Sequence, residues 1–152
     1  MATVHTTIDA PVEDVWDALV DVRTYPHWLI GARRIRRVDD GWPAPGTAFH
    51  HEVGLGGPLT IRDSTRSESV EHRRRLELDV RARPLLRANV TFALRPTPEG
   101  TEVTLEEHPT GWHRALAPVL APLVMARNRA SLEKLDERVT ERSRRNERSD
   151  GA

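Results

Sequence analysis

The sequence predicts an α+β protein in which a curved antiparallel sheet of about seven strands wraps around one long C-terminal helix, with two short helices after the first strand. Two observations predict this fold. From about Ala115 to Arg145, apolar residues recur at steps of three, four or seven with charged residues between them, which is typical of an amphipathic helix. Between Arg33 and Glu107, short extended segments alternate with glycine, proline and acidic turns, which favours a sheet.

The N-terminal elements are predicted to be a strand and two short helices. Residues 3–8 are β-branched and alternate weakly, as a strand does. Asp9-Ala10-Pro11 then offers a polar cap and a proline suited to a first helical turn. The apolar face of this first helix consists of Val12, Val15, Trp16 and Leu19. A second short turn follows Asp21 and is interrupted at Pro26.

Six further strands and the main helix follow. The strands are predicted over residues 32–38, 47–53, 59–70, 76–82, 88–94 and 103–107. Segment 76–82 alternates most cleanly, with its odd-numbered positions charged and its even-numbered positions apolar. Pro118 and Pro122 predict that uninterrupted helix begins near Pro122. Residues 143–152 have no apolar face, so we expect a disordered polar tail after a single domain of residues 1–142.

Composition excludes several classes of function. Lysine plus arginine and aspartate plus glutamate number 23 each, so no net charge attracts nucleic acid, and two arginine clusters (33–37 and 73–75) are interpreted as solvated faces. The absence of cysteine excludes thiol chemistry and Cys-ligated metals. We find no secretory leader or membrane-spanning apolar run and expect a cytoplasmic monomer or homodimer without integral membrane association.

Several short motifs carry a family resemblance. They are Ala10-Pro11 followed by Val15-Trp16, Tyr25-Pro26-His27-Trp28, the strand from Gly100 to Glu107, and Arg127-Asn128 with Ser131-Leu132 and Leu135. Their order resembles the SRPBCC (START-like, Bet v1-like) superfamily, in particular its polyketide cyclase/dehydrase-like members, over about residues 3–142. The resemblance implies the helix-grip fold and an apolar ligand cavity between the sheet and the C-terminal helix.

The candidate ligand-binding residues are those that strand alternation and the helix pattern place toward this space. They are Trp28, Phe49, Thr65, Leu78, Val80, Val90, Phe92, Leu105, Leu120, Val124, Asn128 and Ser131. An aliphatic wall with few aromatic residues suits a flat or chain-like hydrophobic molecule. The same residues would equally well form a filled core, but two Phe and one Tyr leave few large side chains to fill it.

Three inward polar residues are candidates for catalysis: Glu107, His51 and Asp63. A buried carboxylate has to be hydrogen-bonded, paired or protonated, and Glu107 with His51 would suit acid–base chemistry at a ligand carbonyl or acidic C–H. The alternative is that Glu107 is solvated at its strand end or paired with Arg127. His50 adjoins His51, and a register slip of one residue would exchange their faces.

The sequence therefore predicts binding of a small hydrophobic ligand, polyketide-, lipid- or aromatic-like, with no cofactor. A polyketide cyclase/dehydratase type of enzyme using the same cavity, with Asn128 orienting the substrate, is the first alternative. A protein interaction module is the second. No metal site is expected, because His50 and His51 point to opposite faces of a strand and the other histidines lack a ligand spacing.

Overall fold

The computed structural model describes residues 2–151, and for residues 55 and 56 the backbone only. The first half contains β1 (Ala2–Ile8), α1 (Val12–Val20), a 3₁₀ turn (Val22–Thr24), α2 (Tyr25–Trp28), β2 (Ala32–Val38), β3 (Ala48–Gly56) and β4 (Leu59–Glu71). The second half contains β5 (Arg75–Ala82), β6 (Leu86–Thr97), β7 (Gly100–Pro109), a 3₁₀ helix (Gly111–Leu116) and α3 (Ala117–Asp150). The predicted α+β helix-grip architecture is confirmed.

All seven strands form one antiparallel sheet in the order β1-β7-β6-β5-β4-β3-β2. Consecutive strands from β2 to β7 are neighbours, and β1 adds to the β7 edge. Gly100, the first residue of β7 after the β6–β7 turn, has φ +139°, and a Cβ there would lie 2.1 Å from the Ile8 carbonyl oxygen. Glycine is therefore required where this turn meets the end of β1.

The two ends of the sheet differ in what they carry. We call one of them the open end; it consists of the start of β2, the β3–β4 hairpin, the β5–β6 turn and the C-terminal end of β7. The other end carries α1 and the β6–β7 turn, and the hydrophobic core is concentrated there and beneath α3. Its largest fully buried side chains include Trp28, Tyr25, Ile8, Leu19, Leu76, Leu105, Leu132 and Leu135.

Helix α3 begins at Ala117, earlier than the expected start near Pro122. Pro118 occupies the first turn, where no N–H is needed for an intrahelical hydrogen bond, and Pro122 follows inside the helix. The helix also continues through Asp150, over residues expected to form a disordered tail. Ser143 is buried and extends the inner face by one turn, while arginine and glutamate are good helix formers. Ala152, the last residue of the expected tail, lies outside the described residues.

The inner face of α3 is shorter than the helix itself. Its buried side chains are Asn128, Ser131, Leu132, Leu135, Val139 and Ser143. The residues before Met125 contribute no buried side chain, so the first part of the helix lies beside the open end without packing into the core. Across the described residues, no helix has both the length and the apolarity needed to traverse a bilayer.

Candidate functional site

A cavity of about 330 Å³ lies between the concave face of the sheet and the helices. Its wall is mainly aliphatic and aromatic. The lining residues are Tyr25, Leu29, Ile30, Gly31, Ala32, Ile35, Phe49, His51, Val53, Gly54, Thr65, Leu78, Val80, Ala82, Leu85, Leu86, Val90, Phe92, Leu105, Glu107, Arg127 and Asn128. Ile30 and Leu85 both line the cavity and are exposed, at 37% and 54%, so they mark its mouth at the open end.

One polar cluster lies where β7 meets α3. The Glu107 side chain is 5% exposed, and its Oε2 accepts hydrogen bonds from the Arg127 guanidinium and from Asn128 Nδ2, the latter at 2.9 Å. Arg127 also donates through Nε to Asn128 Oδ1 at 3.3 Å. The ion pair with Arg127 that sequence reasoning offered as an alternative is thus present. It holds the carboxylate at the cavity wall rather than in bulk water.

A second polar pair lies across the sheet, on β3 and β4. His51 is 5% exposed and its Nε2 lies 3.0 Å from Thr65 Oγ1, while Nδ1 has no hydrogen-bond partner among the described residues. Burial lowers the pKa of His51 below the ordinary 6.5, and the Asp63 charge offsets only part of that effect. The imidazole is therefore neutral at pH 7. His50 lies on the opposite face, 2.9 Å from Arg37, which resolves the register left open by the sequence.

Asp63, predicted to be catalytic, faces inward but does not line the cavity. Burial alone would raise its pKa, yet hydrogen bonds from the Arg83 side chain, from the main-chain N–H groups of Arg83 and Ser64, and the Arg83 charge lower the pKa to about 2. Those hydrogen bonds measure 2.8 to 3.0 Å. The carboxylate fastens β4 to the β5–β6 turn, and this arrangement leaves it no free role toward a ligand.

Four predicted ligand-binding residues also lie outside the cavity lining: Trp28, Leu120, Val124 and Ser131. Trp28 is a core residue, 1% exposed, with edge-to-face contacts to Tyr25 and Phe92. The Ser131 hydroxyl donates to the Arg127 carbonyl and accepts from the Ile30 N–H, both at 3.0 Å, so both of its capacities are used.

Leu120 and Val124 lie outside the lining because of their position along α3. Around the helix they are rotated by about 80° and 40° from Asn128, close to the buried Ser131 at about 60°, so their direction alone does not exclude them. Leu120 is 41% exposed and Val124 is half-buried, whereas Asn128 and Leu135 are buried. The first turns of α3 lie beside the open end without packing into the core, so the inner face does not extend back to these positions.

The structure brings together the other predicted site residues. Those that line the cavity are Phe49, His51, Thr65, Leu78, Val80, Val90, Phe92, Leu105, Glu107 and Asn128. Sequence reasoning missed the contribution of Tyr25 on α2 and of Ile30 in the α2–β2 connection, because a short helix and a loop have no periodicity that marks an inner face. The Tyr25 hydroxyl donates to the Leu19 carbonyl at 2.6 Å, and burial with the Asp21 charge raises the pKa of its phenol.

Among residues 2–151 with described side chains, no three His, Asp or Glu groups converge as a metal ion would require. The polar groups at the cavity wall are instead spread over two places, the Glu107 cluster and the His51–Thr65 pair. Two polar positions in an otherwise apolar cavity can orient a molecule by hydrogen bonds while its remaining surface is buried against aliphatic side chains.

Comparison with known proteins identifies the family. The profile of the family described as "Polyketide cyclase / dehydrase and lipid transport" matches residues 1–140. The chain belongs to this family. A search of curated protein sequences gives no match.

Solved structures share the fold at low sequence identity. Protein NE0264 from Nitrosomonas europaea superposes with a TM-score of 0.75 at 17% identity, covering 92% of this chain and 94% of that protein. Protein MLL2253 from Mesorhizobium loti gives 0.65 at 25% identity, with 93% and 97% covered. The di-domain ARO/CYC StfQ, from the steffimycin biosynthetic pathway, gives 0.73 at 14% identity, covering 92% of this chain and 50% of that one.

Proposed function

We propose that this protein binds a small hydrophobic molecule, polyketide-, lipid- or aromatic-like, in the cavity between the sheet and α3. The observation that carries the proposal is an apolar wall around a space of about 330 Å³, within the range of about 300 to 1,000 Å³ typical of small-molecule sites. Leu78, Val80 and Val90, on the neighbouring strands β5 and β6, belong to that wall. Burying an apolar molecule against them is favourable because its surface leaves water.

The two polar places define what the ligand carries besides apolar surface. Arg127 engages Glu107 and Asn128 through Nε and one terminal nitrogen. Its other terminal nitrogen donates to none of the described residues, so its N–H groups can bind a ligand oxygen. The opposite wall offers the neutral imidazole of His51. A ligand with oxygen atoms at two separated positions, joined by an apolar body, satisfies both. No cofactor is needed for binding of this kind.

An acid–base enzyme of the polyketide cyclase/dehydratase type is the alternative, and one observation favours it. Glu107 accepts both of its hydrogen bonds at Oε2 and none at Oε1 from the described residues, so Oε1 is available to accept a proton from a bound substrate. His51 is neutral and can act as a base as well. Asn128 would then orient the substrate, as its amide already orients Glu107. The fold shared with the ARO/CYC protein StfQ adds support by fold alone.

The binding proposal is tested by titrating the protein with an apolar fluorescent probe such as anilinonaphthalene sulfonate. Val90→Phe places a ring inside the cavity, whereas Thr91→Phe, the neighbouring residue on the outer face of β6, is the matched control. We expect Val90→Phe to weaken probe binding at least tenfold and Thr91→Phe to leave it unchanged. Equal binding by all three proteins would refute the proposal and favour an interaction module.

The enzyme alternative needs a different readout. Glu107→Gln and His51→Ala should abolish turnover of candidate polyketide substrates, with Glu106→Gln and His50→Ala as controls on the outer faces of the same strands. If the variants keep their affinity for the probe and the wild type itself shows no turnover, the enzyme alternative is excluded and the binding function stands. Native mass spectrometry of gently purified protein identifies any molecule that co-purifies.

A further inference from the structure

The exposed apolar side chains are concentrated at one end of the molecule. Among the described side chains, eight large hydrophobic residues are exposed: Ile30, Leu59, Leu85, Trp112, Leu116, Val119, Leu120 and Leu123. All of them belong to the open end or to the first two turns of α3 and the 3₁₀ helix before it. Scattered exposed hydrophobic residues are ordinary, but their concentration at one end of a molecule is typical of an interaction surface.

The apolar stripe of α3 points away from the body of the protein. Val119 and Leu123 are 77% and 70% exposed. Five residues separate Leu123 from the buried Asn128, which corresponds to a rotation of about 140° around the helix. The stripe is thus displaced from the face that packs on the sheet, and the fold itself does not cover it.

The charges of the same end indicate what kind of partner fits. The open end carries seven arginines: Arg33, Arg34, Arg83, Arg87, Arg114, Arg127 and Arg129. Four carboxylates beside it are already paired: Glu52 with Arg62, Asp63 with Arg83, Asp79 with Arg87 and Glu107 with Arg127. Arg33, Arg34, Arg114 and Arg129 form no ion pair with a described residue. The whole chain has no net charge, so this end is locally cationic.

We propose that the open end is a peripheral docking surface for an anionic lipid bilayer. An interfacial helix buries its apolar face among the acyl chains, tryptophan is favoured at the headgroup level, and flanking arginines are attracted by acidic lipids. Trp112, the α3 stripe and the arginines supply these three features together. A second copy of this chain fits poorly, because an isologous contact would bring the unpaired arginines of both copies together.

Docking in this orientation would set the mouth of the cavity against the bilayer. Ile30 and Leu85 line the mouth and are also part of the exposed apolar set. An apolar ligand could then pass between membrane and cavity without crossing water. That passage rests on the proposed function, whereas the docking itself rests on the surface residues alone.

Sedimentation with vesicles tests the docking. The full-length protein is mixed with phosphatidylcholine vesicles that either contain or lack phosphatidylglycerol. We expect binding to the anionic vesicles, weaker binding to the neutral ones, and a decrease as salt is added. Val119→Ser with Leu123→Ser should weaken binding about tenfold or more, and both positions are exposed enough to leave the fold intact. Val119→Leu with Leu123→Val should retain it.

Charge variants measure the electrostatic contribution to vesicle binding. Arg33→Gln with Arg34→Gln should weaken binding to anionic vesicles about fivefold for each arginine removed. Arg144→Gln with Arg148→Gln, at the far end of α3, is the matched control and should have no effect. Failure to bind anionic vesicles, or binding that the open-end variants do not change, would overturn the proposal.

Light scattering and the probe titration complete the test. A dimer that Val119→Ser with Leu123→Ser converts to monomer would assign the surface to a second copy, and salt-sensitive binding of an acidic protein but not of vesicles would assign it to a protein partner. Either result overturns the membrane proposal. Vesicle binding in a protein that fails to take up the apolar probe would refute the proposed function while leaving the docking surface in place.

Discussion

Replacing Asp63 by asparagine should destabilise the folded protein by about 2 kcal/mol without weakening ligand binding. The carboxylate accepts two hydrogen bonds from the Arg83 side chain and one each from the main-chain N–H groups of Arg83 and Ser64. Asparagine keeps one acceptor oxygen and adds an NH₂ group that faces those donors. The contact between β4 and the β5–β6 turn is therefore lost in large part.

The magnitude follows from the pKa of Asp63. Its value falls from 3.8 to about 2 on folding, and each pKa unit corresponds to about 1.4 kcal/mol, which gives about 2.5 kcal/mol in favour of the charged form. Arg83 is 61% exposed, so solvent screening reduces this figure to about 2 kcal/mol. Because the folded pKa is depressed, this stability is present above pH 3.8 and is lost as pH falls from 3.8 to about 2.

Urea denaturation at neutral pH and at acid pH measures the effect. Asp63→Asn should lose about 2 kcal/mol at pH 7, and its difference from the wild type should vanish as pH approaches 2. Glu77→Gln removes a more exposed ion pair with Arg75 on the outer face and is the control, with an expected loss below about 0.5 kcal/mol. A loss at Asp63 no larger than at Glu77, or loss of probe binding without loss of stability, would refute the structural role.

Three further predictions concern pH, backbone and core. Stability should fall as pH drops below 6.5, because burial depresses the pKa of His51 and the unfolded chain then binds a proton that the folded protein does not. In thermal melts, His51→Gln should make stability less dependent on pH in this range, whereas His50→Gln should not. Gly100→Ala should cost more than about 3 kcal/mol in urea denaturation, against about 1 kcal/mol for Gly46→Ala, where a Cβ meets nothing within 4 Å. Leu135→Ala should cost about 3 kcal/mol by the same assay, because Leu135 is fully buried. Equal costs at the two glycines, an unchanged pH slope in His51→Gln, or a neutral Leu135→Ala would each contradict the corresponding argument.

The sequence predicts the strands that line the cavity because alternation has a period of two. In β5, even-numbered apolar positions alternate with charged ones, and Leu78 and Val80 face the cavity as that pattern requires. The same alternation places Glu107 inward at the end of β7. At His50 and His51 the pattern is ambiguous, since both residues are histidine and only the pairing of β3 with β2 and β4 decides which one is buried.

The rest of the site depends on contacts between distant parts of the chain. The position of Ile30 is fixed by a hydrogen bond from its N–H to Ser131, a residue 101 positions later, and no local pattern encodes this. For Asp63, the sequence predicts the orientation of the side chain but not its partner. Its inward orientation follows from alternation, but its partner Arg83 comes from another hairpin, and the pairing makes the carboxylate structural.

The far end of α3 shows how composition alone misleads. Residues 143–150 have no apolar stripe, yet they continue a helix that is already nucleated and packed, and adding a residue to an existing helix costs far less than starting one. The first turns show the reverse situation. Their apolar residues suggest an inner face, but this part of α3 lies beside the open end without packing into the core, which leaves Leu120, Leu123 and Val119 exposed.

Methyl-resolved NMR during titration with an apolar ligand is the most direct test of the cavity. Binding inside it predicts the largest shift changes at the methyl groups of Val80, Val90 and Leu105, with the Asn128 side-chain amide responding at the same ligand concentrations. Methyl groups of the core at Val15 and Val139, which lie outside the cavity lining, should change least. Changes confined to the exposed stripe around Val119, with the cavity methyl groups unmoved at saturation, would contradict the account.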